Sequence, residues 1–122
     1  MQANKNKAAI YCRVANADDN AMENQRRVVR EFAAAEMYED CAEYLDNGES
    51  GLDFNRPAFS QLRNDIRTGK IDIVFMDCIS RIGRDIIAVH EWLIEMRTHG
   101  VRIVLRNEGE EMPLELYSLF VK

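Results

Sequence analysis

The 122 residues suffice for one domain with one core and are too few for two ordinary ones. Sixteen Lys and Arg against 21 Asp and Glu give a formal charge of -5, which excludes binding nucleic acid through a global field and leaves local arginine clusters as the route to a polyanion. A content of 47% hydrophobic and 30% charged residues is neither disordered nor fibrous, and no apolar run reaches the roughly 20 residues of a membrane helix, so a soluble, unexported, cytoplasmic chain without a membrane partner is expected.

AAIYCRV (8–14) is a short apolar run that predicts a strand, with Arg13 near its end. AMENQRRVVREFAAAEM (21–37) sets Met22, Val28, Val29, Phe32 and Ala33 on one stripe, the pattern of an amphipathic helix. CAEYLD (41–46) predicts a second strand, followed by the loop NGESGLDFNRP, whose Gly48 and Gly51 permit tight turns and whose end carries Arg56. RPAFSQLRNDIRTG (56–69) predicts a helix with Asn55 as cap, Pro57 in the first turn, Phe59, Leu62 and Ile66 inward, and a stop at Gly69.

IDIVFMD (71–77) predicts the third strand, and DCISRIGRD after it brings Arg81 and Arg84 onto one face if the next helix begins there. DIIAVHEWLIEMRTHG (85–100) predicts that helix, ending at Gly100 with His99 well placed for its dipole. Its Trp92, Leu93 and Met96 form a core or partner-facing stripe, and His90 a half-exposed helix position. VRIVLR (101–106) predicts a fourth strand, and NEGEEMP (107–113) an acidic, turn-rich junction before LELYSLFVK.

Strands alternating with helices imply an α/β fold: a three-layer sandwich with a mostly parallel, roughly four-stranded sheet flanked by helices and right-handed crossovers. Ligands meet such sheets at the loops beyond the carboxyl ends of the strands. Arg13, Arg56, Arg81 and Arg84 all fall there, and planar guanidinium forks are suited to gripping a phosphate in two directions. Two cations ahead of a helix call for an anion, either a phosphate or Asp85. No carboxylate pair is spaced to hold magnesium, and Cys12, Cys41 and Cys78 are too scattered for zinc or a disulfide framework, so reduced core thiols and no metal or other cofactor are expected.

The sequence resembles the catalytic domain of the serine recombinases, the resolvase and invertase family with its large integrase and conjugative-transposon members. YCRVANADDNAMENQ resembles that family's opening strand, arginine, loop and helix-borne glutamine; SGLDFNRPAF resembles its loop with an arginine before a helix; and DIVFMDCISRIGRD resembles its strand followed by paired arginines. The resemblance spans nearly all of residues 1–122, which are expected to be one resolvase-like catalytic domain with the long C-terminal dimer helix truncated and no DNA-binding module. It implies DNA cleavage by a serine hydroxyl, a phosphoserine intermediate, rejoining after subunit exchange, and partners in the DNA phosphate backbone and in self or related recombinase subunits. By the same resemblance Arg13, Arg56, Arg81 and Arg84 are DNA-phosphate ligands, and Gln25 supports them.

Two positions depart from the family. The nucleophilic serine is replaced by Ala15, and the aspartate before the paired arginines by Ser80. Losing a nucleophile costs on the order of a millionfold in rate in a covalent-catalysis enzyme, so the chain as given is expected not to cleave DNA. The double departure favours natural loss over a single laboratory Ser→Ala change, although rescue by Ser50, Ser80 or Cys12 stays open. Two alternatives remain beside a recombinase catalytic domain: a non-enzymatic, degenerate relative that binds DNA phosphates or regulates an active recombinase, and a phosphate-accepting receiver built on Asp18, Asp19 and Asp77.

Overall fold

The structure, a computed structural model, describes residues 7–49, 56–78, 81–82 and 85–107. Chain order is β1 (Ala8–Val14), α1 (Asp19–Ala35), β2 (Ala42–Asn47), α2 (Pro57–Arg67), β3 (Ile73–Met76), α3 (Ile86–Thr98) and β4 (Arg102–Leu105). Every strand-to-strand connection contains a helix, which lets neighbouring strands run parallel. All four do, in the order β2-β1-β3-β4.

Side chains alternate across the pleat of β1, so one strand feeds two cores. Ala8, Ile10 and Cys12 meet Met22, Val29 and Ala33 of α1, together with Ile73 and Phe75. Ala9 and Tyr11 face the other way, toward Phe59, Leu62 and Ile66 of α2 and Val89, Trp92, Leu93 and Met96 of α3. This gives the three-layer α/β sandwich expected from the sequence, with the sheet wholly rather than mostly parallel. Trp92, Leu93 and Met96 are core residues, and His90 is half-buried.

The helix starts need correction. Asp18 caps α1 by accepting the Ala21 N–H at 3.0 Å, and Asp85 caps α3 by accepting from Ile87 and Ala88. Asp85 thus serves as the cap of α3, which begins at Ile86, after Arg81. The N-cap position of α2 is Arg56, without a side-chain cap bond of its own; Asn55 lies outside the described residues. Its exposed donors are met from β2 instead: the Asp46 carboxylate accepts the Ala58 and Phe59 N–H groups, both at 2.9 Å.

Among the thiols only Cys12 is fully buried, while Cys41 and Cys78 are half-buried. Beyond β2 the chain turns at Gly48 with φ of +95°, where a Cβ would stand 3.2 Å from that of Ala17. This close approach seats the β1–α1 loop against the turn. Among the described residues no helix is long and apolar enough to cross a membrane.

Candidate functional site

The carboxyl end of β1 outruns its neighbour. Recorded pairing of β1 with β3 ends at Ile10 opposite Phe75, whereas pairing with β2 continues to Val14 opposite Asn47. Gln25 of α1 supplies the missing strand partner: its Oε1 accepts the Arg13 N–H at 3.0 Å, and its Nε2 donates to the Arg13 carbonyl at 3.1 Å. The Arg81 guanidinium donates to the same carbonyl at 3.1 Å. The backbone of Arg13 is thus fixed from both flanking segments.

The side chains of Arg13 and Arg56 are almost fully buried, at 2% and 1% exposure. Arg13 donates to the carbonyls of Glu49 at 2.9 Å and Arg81 at 3.4 Å. Arg56 donates to the Arg81 carbonyl at 2.9 Å, to the Ile82 carbonyl and to the Tyr11 hydroxyl at 3.2 Å, and its charge lies 4.4 Å from the centre of the Phe59 ring. Tyr11 completes the chain by donating to Asp46 at 2.8 Å. Burial drives the Tyr11 phenol above its ordinary range, opposed by the Arg56 charge and reinforced by the Asp46 hydrogen bond, so it remains a protonated donor.

Three of the four expected arginines are brought together at the Arg81 carbonyl. Arg13 and Arg56 are tied to main-chain oxygens, and Arg81 keeps 26% of its side chain exposed with its Nη2 3.7 Å from Asp77. Arg84, Ser80, Ser50, Gly51 and the segment 108–122 lie outside the described residues. Ala15 is exposed just past β1, two residues beyond Arg13. Burial pushes the nearby Cys12 thiol up to about 12, which keeps it protonated near neutral pH.

Asp46 and Tyr11 were not among the residues singled out from the sequence. A carboxylate ending a strand and a tyrosine two residues before Arg13 were the available signals, but neither spacing reveals that they meet across two strands.

Residues 8–120 match the family described as Resolvase, N terminal domain. None of the curated proteins matches. Among solved structures the chain is similar to the C-terminal catalytic domain of ISC1926 TnpA, an IS607-like serine recombinase, with 26% identity over 92% of this chain and 74% of that one and a TM-score of 0.76. It is also similar to a resolvase family site-specific recombinase from Streptococcus pneumoniae, with 26% identity over 92% and 81% of the two chains and a TM-score of 0.72. The N-terminal catalytic domain of TP901-1 integrase shares the fold, with 23% identity over 80% and 76% of the two chains and a TM-score of 0.75.

Proposed function

This chain belongs, over residues 8–120, to the family described as Resolvase, N terminal domain, and from that membership we propose that it is a serine recombinase catalytic domain which holds DNA phosphates but does not cleave the DNA strand. The observation that carries the proposal is Ala15, exposed beyond β1 at the position where the family's motif has its serine. A methyl group has no lone pair for attack on phosphorus. Arg13, Arg56, Arg81 and Arg84 would stabilise phosphoryl charge, with Gln25 fixing the Arg13 backbone. Arg13 and Arg56 are buried against main-chain carbonyls, whereas Arg81 reaches the surface.

The test incubates the chain with nicked duplex DNA and seeks a covalent protein–DNA adduct by denaturing electrophoresis and mass spectrometry. No adduct is expected from the chain as given. An adduct mapped to Ser50, Ser80 or Cys12 refutes the non-cleaving assignment, and Arg81→Ala with Arg84→Ala leaving DNA or sulfate binding unchanged refutes the phosphate assignment.

A second reading, a partner of other recombinase subunits, is favoured by Ile87 and Ile94, two turns apart on α3 and 71% and 45% exposed. Concentration-dependent sedimentation that Ile87→Arg abolishes would support it; a monomer at every concentration, alone and mixed with a related recombinase subunit, would remove it.

A further inference from the structure

Sheet order β2-β1-β3-β4 places the reversal of connection direction between β1 and β3, since β1 leads outward to β2 and β3 leads outward to β4. In parallel α/β sheets the crevice beyond the strand ends at this reversal is a natural ligand site. Here it is an open cleft of about 490 Å³, within the range of small-molecule sites and larger than one phosphate fills. Ala21, Asn24, Gln25 and Val28 form its α1 wall, at helical spacing. Arg27, Arg81 and Arg106 enter from α1, from beyond β3 and from beyond β4, against the single carboxylate of Asp77.

Three cations and one carboxylate line the cleft, and Arg27 also lies 3.7 Å from the exposed Glu31, which leaves a small positive excess in a chain whose formal charge is -5. Asp77 orients rather than cancels this charge: it accepts from Arg106 Nε at 2.9 Å and lies 3.7 Å from Arg81 Nη2. Both Nη groups of Arg106 thereby remain available for a ligand among the described contacts. Arg81, which lines the cleft, also has a buried Nε with no hydrogen-bond partner among the described residues, a donor whose desolvation those residues do not offset. Asn24 accepts from Arg27 Nη2 at 3.1 Å through its Oδ1 and presents its amide N–H groups as neutral donors beside the guanidiniums, while Gln25 holds the Arg13 backbone.

We propose that this cleft is a second phosphate subsite, formed by Arg27 and Arg106 beside Arg81, which takes a backbone phosphate of the same DNA strand whose neighbouring phosphate lies at the Arg13–Arg56–Arg81 cluster. The proposal rests on the phosphate-holding reading above and extends it to the other side of Arg81. A free nucleotide offers the same phosphate chemistry, so the experiment separates the two sources.

The test measures binding of a fluorescent single-stranded oligonucleotide of about twelve nucleotides across a series of salt concentrations. Arg27→Ala with Arg106→Ala is expected to weaken binding roughly tenfold at low salt. It should also flatten the slope of log affinity against log salt by about 1 to 1.5, as expected for two lost phosphate contacts on a single strand. The paired lysine substitutions should retain most of the affinity, and Arg97→Ala, in the last turn of α3, should change nothing. If the double alanine variant binds normally while Arg81→Ala does not, the subsite is overturned and the phosphate-holding reading stands. Binding that is absent, or equal in all variants, overturns both. A deoxynucleoside monophosphate that competes with the oligonucleotide's own affinity makes the cleft a nucleotide site and overturns the strand assignment.

Discussion

The Tyr11 hydroxyl donates to the Asp46 carboxylate at 2.8 Å, joining the central strand to an edge strand through a buried pair. Asp46 also receives the first free N–H groups of α2, and Tyr11 receives Arg56, so one carboxylate sets both the start of a helix and the position of an arginine. Asp46→Asn retains an acceptor but turns an amide donor toward other donors. Its unfolding free energy should fall by about 2–3 kcal/mol. Tyr11→Phe removes only the hydroxyl and should cost about 1–1.5 kcal/mol. Urea unfolding of both variants checks the order; equal costs would show that Asp46 acts through Tyr11 alone.

Gln25 replaces a missing strand neighbour, so its two hydrogen bonds are not interchangeable with those of other polar groups. Gln25→Ala leaves the Arg13 N–H without its partner and should destabilise the fold by about 1–2 kcal/mol. Gln25→Glu keeps the acceptor but sets a carboxylate oxygen against the Arg13 carbonyl. Amide hydrogen exchange provides the check: the Arg13 amide should exchange faster in the alanine variant and stay protected in the glutamate variant. Unchanged protection in both would place the β1 terminus under other control.

The elements were legible because their signals are local. Apolar runs located all four strands, with ends shifted by two residues or fewer, and Gly69 and Gly100 stand just past the helix ends with positive φ, as their positions suggested. What escaped the sequence was set by contacts distant along the chain. Asp46 of β2 accepts two N–H groups at the start of α2, and the cleft at the β1–β3 reversal assembles Arg27, Arg81 and Arg106 from three separate segments. Three arginines at strand ends did converge. Their orientation toward carbonyls follows from the burial of Arg13 and Arg56, which no spacing encodes.

Met37 follows α1 with φ of 76°, in the left-handed region that L residues occupy at a cost, while its side chain is 67% exposed and packs little. Met37→Gly should therefore raise stability by about 0.5–1 kcal/mol, the strain relieved exceeding the added freedom of the unfolded chain. Met37→Ala removes the same side chain without relieving the backbone and should be nearly neutral. A glycine variant no more stable than the alanine variant in thermal unfolding would disprove strain at this helix end.

Glu95 on α3 ties that helix to α2 by accepting from Arg63 at 3.0 Å and Arg67 at 2.7 Å. Burial alone pushes its carboxyl upward, but the hydrogen bonds and charges of Arg67 and Arg63 outweigh this and hold it below the ordinary 4.5. A carboxylate with a lower pKa folded than unfolded adds stability above the unfolded value and loses it as pH falls through the folded one. Because Arg67 is half-exposed, solvent screening limits the contribution at neutral pH to about 0.5–1 kcal/mol. Glu95→Gln should be less stable than the parent by that amount near neutrality. The gap should hold steady on acidification until pH approaches 4.5, then close as Glu95 protonates and the two chains become alike. Urea midpoints near neutrality, at mildly acidic pH and well below 4.5 measure it; a gap as wide in strong acid as near neutrality would show that the bridge acts through packing and not through charge.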